Sequence, residues 1–129
     1  MPWAVEYTDQ FEEWWRTLDD AQQEHVLAAV AELEERGPGL GRPLVDTIAD
    51  SALPNLKELR VPSTGGRRLR VLFAFNPMRT AILLLGGDKT GRWSEWYATA
   101  IPEAERLYAE HLEELRREEL WPDTDRSVS

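Results

Sequence analysis

The sequence predicts an α+β domain in the order β-α-α-β-β-β-α. Three observations carry this: apolar residues recur at helical spacing in the first and last parts of the chain, they alternate between Leu56 and Leu85, and Gly-, Pro- and Asn-containing turns separate the alternating runs. The 129 residues, 42% hydrophobic and 30% charged, fit one globular domain over 1–121 followed by a flexible tail at 122–129. A domain of this size buries a core without help from disulfides or a structural metal.

Each element has a local cause. Trp3 to Tyr7 alternates and is rich in strand formers, which predicts a short first strand added at a sheet edge. Thr8 or Asp9 caps the first helix, with Asp9 and Glu12 at capping-box spacing and Phe11, Trp14, Trp15 and Leu18 as its apolar stripe. Asp19-Asp20 opens a second helix whose Ala21, Val26, Ala29, Val30 and Leu33 face one way, and Gly37-Pro38-Gly39 ends it. Residues 38–55 read as a long loop with one helical turn around Val45 to Ala49. Leu56 to Val61 is a strand, and residues 62–66 form a turn. Arg68 to Asn76 is the clearest strand, with Leu69, Val71, Phe73 and Phe75 on one face and Arg68, Arg70, Leu72, Ala74 and Asn76 on the other. Asn76 to Arg79 turns the chain, and Thr80 to Leu85 returns antiparallel. Gly86 to Arg92 reads as a polar exit loop, and Trp93 to Ala98 is ambiguous between states. A last helix starts at Pro102 and presents Ala104, Leu107, Tyr108, His111, Leu112 and Leu115 on one face.

Charge is segregated. The chain carries −9 overall, which opposes a polyanionic partner. Between Leu53 and Trp93, however, eight basic residues meet only two acids, Glu58 and Asp88; that segment carries +6 and the remainder −15. Charges beyond about 10 Å are largely screened at 0.1 M salt, so the local field matters more than the total.

Several classes of chemistry drop out. Without cysteine there are no disulfides, thiolate metal sites or cysteine nucleophiles, and a reducing cytoplasm fits. The N-terminus lacks a signal-peptide pattern, and the longest apolar run, Ala81 to Leu85, is far short of the roughly 20 residues of a membrane helix. No phosphate-binding glycine motif is present. His25 and His111 lack a ligand at i+4 and read as solvated or packing side chains, and Glu113-Glu114 as a solvated helix face.

The basic sheet remains. Lys57 and Glu58 point to opposite faces of one strand, Arg68 and Arg70 share a face of the next, and Lys89 and Arg92 leave the last strand just before Trp93, Trp96 and Tyr97. If helices cover the apolar face, these arginines look out from the open one. Guanidinium groups grip phosphate and aromatic rings stack bases, which suits single-stranded nucleic acid. The same residues also suit a solvated basic face whose tryptophans cover a core edge, and residue types alone do not separate the two.

The stretches LKELR, GRRLRVLFAFNP, ILLLGGDKTGRWSEWY and AIPEAERLYAEHLEEL, in this order between Leu56 and Leu115, resemble the HigB-like, phage-associated branch of the RelE/ParE toxin superfamily. The resemblance implies a RelE-like fold, with two N-terminal helices packed on a three- to four-stranded antiparallel sheet and a C-terminal helix. It implies a cognate antitoxin, usually encoded beside the toxin and of helix-turn-helix type. For RelE and HigB members it implies cytoplasmic, ribosome-dependent cleavage of mRNA that needs neither metal nor cofactor; ParE members inhibit DNA gyrase instead. A gyrase inhibitor and a non-catalytic protein-binding module are therefore the rival readings, although the long last helix and GGDKTGRW look more like the HigB branch.

Matched to the family pattern, the central-strand arginine falls at Arg70, the preceding arginine at Arg60, the upstream lysine at Lys57 and the C-terminal tyrosine at Tyr97. Family members often carry adjacent basic residues in the exit loop; here Lys89 and Arg92 share that role across Thr90-Gly91. Arg70 is expected to clamp the phosphorane with help from Arg60 and Arg92. Lys57 or Lys89 is expected to move a proton, and Tyr97 to orient or deprotonate the 2′-hydroxyl or to stack a base. Arg68, Trp93 and Trp96 are expected to contact RNA.

Overall fold

The computed structural model describes residues 2–62, 65–91 and 93–118, with only the backbone of Trp93. The elements are β1 (Ala4–Tyr7), α1 (Asp9–Arg16), α2 (Asp20–Arg36), a single 3-10 turn at Gly37–Gly39, β2 (Val45–Thr47), β3 (Lys57–Arg60), β4 (Leu69–Phe75), β5 (Thr80–Asp88) and α3 (Trp93–Arg117). The class is the α+β arrangement expected. The sheet has five strands in the order β1-β5-β4-β3-β2, and it is mixed because β1 runs parallel to β5. β3, β4 and β5 form an antiparallel meander, and β1 joins it at the edge, parallel to β5.

The hairpin forms where its caps dictate. The Thr8 hydroxyl accepts from the Phe11 amide at 3.0 Å and donates to the Leu84 carbonyl at 2.7 Å, so one side chain starts α1 and ties it to β5. The reciprocal capping box forms at Asp19 and Gln22 rather than at Asp9 and Glu12. One face of the sheet packs under α1 and α2: Leu59, Leu69, Val71, Phe73, Ala81 and Leu83 meet Phe11, Val26, Ala29 and Leu33. Truncating a buried phenylalanine such as Phe73 costs about 3–5 kcal/mol.

The second face is covered too. Leu56, Leu72, Ala74, Ile82 and Leu84 pack against Ala100, Ala104, Leu107 and Tyr108 of α3. The expected open basic face is thus a margin beside α3, because Leu72 and Ala74 follow Arg70 on the same side of β4 and need cover.

Three boundaries differ from expectation for physical reasons. Val45–Thr47 is an edge strand paired with Lys57–Leu59, not a helical turn, since Val45 supplies a core side chain beside Leu59. Gly86 and Gly87 continue β5 instead of opening a loop. A methyl group on Gly86 would overlap the Trp14 indole, and one on Gly87 would overlap that of Trp96. The two glycines let one indole lie against each face of the sheet. The last helix begins at Trp93, nine residues before Pro102, which sits inside it on an exposed position. The tail at 122–129 lies outside the described residues.

Candidate active site at the basic sheet margin

Strand pairing builds the site. Arg60 lies opposite Arg70 and Glu58 opposite Leu72 in the β3–β4 ladder, so Glu58, Arg60 and Arg70 share the face that α3 covers. Asp46 of β2 lies opposite Glu58 on the same face. The first turns of α3 bring Tyr97 over them.

Glu58 is the centre of this cluster, and it is only 3% exposed. Its Oε2 is 3.2 Å from Arg60 Nε, its Oε1 is 3.6 Å from Arg70 Nε, and the Tyr97 hydroxyl donates to Oε1. Arg60 also reaches Asp46 at 3.1 Å. Arg70 is 13% exposed and donates through one terminal nitrogen to the Leu69 carbonyl at 2.9 Å, while its Nε is buried without a hydrogen bond. That guanidinium is held by the charge of Glu58 and by its bond to the Leu69 carbonyl. Removing Glu58 would leave the largely buried Arg70 without its carboxylate, a loss on the order of 3–5 kcal/mol, whereas Arg60 keeps Asp46.

The cluster shifts its own proton affinities. Burial, then the hydrogen bond to Glu58, pushes the Tyr97 phenol well above its ordinary range. Burial, then the Arg70 charge, lowers Lys89, whose Nζ lies 5.5 Å from the centre of the Tyr97 ring. Burial pushes Asp88 up, but hydrogen bonds from Thr90 and Arg68 and the charge of Arg67 more than offset it and hold the carboxyl below its usual value. Asp88 thereby ties β5 to Arg67 and Arg68 at the start of β4.

Two hollows flank Arg60. One, about 410 Å³, is lined by Pro43, Leu44, Arg60, Val61, Pro62, Arg67, Arg68 and Arg70. The other, about 590 Å³, runs between β2 with its following loop and the first turns of α3, and it includes Glu58, Arg60 and Tyr97 in its wall.

Of the residues singled out from sequence, Arg60, Arg70, Lys89 and Tyr97 converge, and Arg68 stands at the mouth of the basic hollow. Lys57 does not join them. It alternates with Glu58, lies on the other face opposite Phe73, and approaches the Thr47 hydroxyl at 3.3 Å. Trp96 is not a free stacking platform, since its indole packs on Gly87 and on the core beneath α3. Arg92 and the Trp93 side chain lie outside the described residues. The residues that sequence reading missed are Glu58 and Asp46. A signal for the first existed: Glu58 is one of two acids in the basic segment and stands two residues before Arg60, hence on its face. Among the described residues no three acidic or histidine side chains form a set that could hold a metal ion, and no helix is long and apolar enough to cross a membrane.

The pattern that defines the phage-derived Gp49-like proteins (DUF891) matches residues 13–109. The chain belongs to this family. Two Mycobacterium tuberculosis proteins named as toxins are similar to it. HigB2 is 46% identical over 110 residues, which are 85% of this chain and 54% of that protein. HigB3 is 48% identical over 103 residues, 80% of this chain and 88% of that one. This Gp49-like chain therefore spans about half the length of HigB2 and most of HigB3. Its fold is that of RelE. The free Escherichia coli RelE toxin, in a double mutant, matches with a TM-score of 0.59 at 16% identity over 79% of this chain and 97% of that chain. RelE in the Pyrococcus horikoshii RelE–RelB complex matches at 0.53 and 19% identity over 71% and 99%. The HigB/RelE-type assignment implied by the motifs between Leu56 and Leu115 thus holds, and so does the fold class.

Proposed function

We propose that this HigB/RelE-type chain is the toxin of a toxin–antitoxin pair and acts as a ribosome-dependent endoribonuclease on mRNA. The observation that carries the reading is the Arg60–Glu58–Arg70 group capped by Tyr97. It combines cations for a phosphate, a proton acceptor and a phenol already aimed at that acceptor, beside a basic hollow.

The step balances with this chain's own groups. The RNA 2′-oxygen attacks the adjacent phosphorus while its proton passes to the Tyr97 oxygen and the phenolic proton passes to Glu58. A free phenolate is disfavoured at neutral pH, so Tyr97 works as a relay and Glu58 as the base. Arg60 and Arg70 hold the phosphorane oxygens. The bond from phosphorus to the 5′-oxygen breaks, and Lys89, primed to release a proton, supplies one to the leaving oxygen. The products are a 2′,3′-cyclic phosphate and a free 5′-hydroxyl. The ribosome contributes the in-line geometry, a positioning effect worth roughly 7–11 kcal/mol in favourable cases.

The partner that restrains such an activity is an antitoxin. This rests on the toxin names of the HigB relatives and on the RelB chain seated on the archaeal RelE. Purified protein added to programmed ribosomes is expected to cut the bound mRNA, with Arg70→Ala slower by about 10²- to 10³-fold and an unchanged circular-dichroism spectrum. Intact mRNA with the unmutated protein would overturn the reading.

A further inference from the structure

The two hollows that meet at Arg60 differ in chemistry, and the difference assigns a ligand to each. The 410 Å³ hollow holds four arginines and suits phosphates. In the 590 Å³ hollow Arg60 is the one cation among the described residues, and it is accompanied by the carboxylates of Asp46, Asp50 and Glu58, so a second phosphate is repelled there. Its remaining wall is apolar on two sides, Ile48 and Ala49 from the β2 end and Ala98, Ile101 and Pro102 from α3.

Acceptors dominate this wall. Asp46 is already bound to Arg60, but Asp50 makes no hydrogen bond or ion pair among the described residues. Pro102 has no N–H to offer the Ala98 carbonyl four residues earlier, and both residues line the hollow. The segment carrying Asp50 is tied to α3, because Glu105 accepts from the Ser51 hydroxyl at 2.6 Å and from the Ala52 amide at 2.7 Å.

We propose that this hollow is a base-reading pocket for the nucleoside on the 5′ side of the cut, with Asp50 selecting a base that offers adjacent N–H donors. The inference rests on the ribonuclease reading: a phosphate at Arg60 and Arg70 whose 2′-hydroxyl neighbour meets Tyr97 sends the attached base into the space Tyr97 borders. The apolar side chains of Ile48 and Ile101 take the ring, and the exposed carboxylate of Asp50 takes its edge. Guanine places a ring N–H beside an exocyclic amine and meets both carboxylate oxygens at once. Uracil has one N–H between two carbonyls and sets those oxygens against the carboxylate.

The test uses the full chain, isotope-labelled, with guanosine 3′-monophosphate and uridine 3′-monophosphate as probes. Both titrations are followed at the methyl groups of Ala49, Ala98 and Ile101. The guanosine nucleotide is expected to bind about tenfold more tightly and to shift these methyls. In Asp50→Asn, which keeps the shape and adds a donor, that preference is expected to vanish or reverse. Equal binding of both probes by the unmutated chain, a preference unmoved by Asp50→Asn, or shifts confined to Val61 and Leu44 in the basic hollow would each overturn the pocket. A guanosine preference in a protein that fails to cut ribosome-bound mRNA would retain the pocket and reject the reaction, so the two claims fail separately.

Discussion

In the proposed reaction Tyr97 is the group that relays the proton. Its hydroxyl donates to Glu58, and burial keeps it protonated. Tyr97→Phe keeps the ring that Lys89 overlies and removes only the relay. Cleavage is expected to fall by about 10²- to 10⁴-fold with little loss of stability, measured as single-turnover cutting beside a denaturant curve. Retained activity in that variant would assign the base elsewhere. In the proposed reaction Lys89 acts in its charged form, and its affinity for protons is lowered by burial and then by Arg70. The rate should therefore decline on the alkaline side earlier than an ordinary lysine would dictate. Lys89→Arg should push that limb to higher pH while lowering the plateau, and a pH–rate profile of both proteins checks this. Arg60, Arg70, Lys89 and Tyr97 are legible in the sequence through strand alternation and the family motifs. Glu58 is not, because a lone acid among arginines reads equally as a surface charge until α3 is known to bury it. Lys57 is over-read from sequence, since the same alternation that gathers Glu58 and Arg60 sends Lys57 to the other face.

At the scale of elements, the join between sheet and α3 positions Tyr97, and two features hold it. One is the close approach at Gly87. Gly87→Ala sets a methyl group against the Trp96 indole and is expected to cost about 1–3 kcal/mol, with part of the loss recovered when Trp96→Leu is added. The other is His111. Asn76 Oδ1 accepts from the Met78 and Thr80 amides, so Nδ2 is the donor facing His111 Nε2 at 2.9 Å. That bond needs a neutral ring with its proton on Nδ1. Burial lowers the imidazole from its ordinary 6.5, against the opposing charges of Glu6 and Glu114. The unfolded chain thus binds this proton more readily, and the bond's contribution to stability is present above 6.5 and is lost as pH falls through the lowered folded value. Urea denaturation at several pH values should show this slope, and His111→Gln should remove it. The elements misjudged or left open from sequence share a cause. Val45 to Thr47, Gly86-Gly87 and Trp93 to Ile101 each take their conformation from a tertiary partner, respectively β3, the two indoles and the second face of the sheet. Local propensity carries no trace of those partners.

Across the whole molecule the division of charge becomes a division of space. The +6 segment supplies β3, β4 and β5, whereas most of the −15 lies on the helices. A chain of net −9 can therefore present an anion-binding margin, because its basic residues are gathered on β3, β4 and β5 and the local field outweighs the total. Affinity for a short single-stranded RNA should fall with salt, with a logarithmic slope of roughly −3 if the four arginines of the basic hollow each meet a phosphate. Arg68→Ala should reduce that slope by about 0.7. On the opposite side β1, α1 and α2 enclose an apolar hollow of about 390 Å³ with Tyr7 and Leu27 exposed on it. Mapping mRNA 5′ ends within minutes of induction in a bacterium shows whether the group around Glu58 cuts translated RNA. New ends are expected inside translated regions, and they should disappear in Tyr97→Phe and when translation is blocked. Growth arrest with intact mRNA, or ends that persist in Tyr97→Phe, would contradict cleavage by that group.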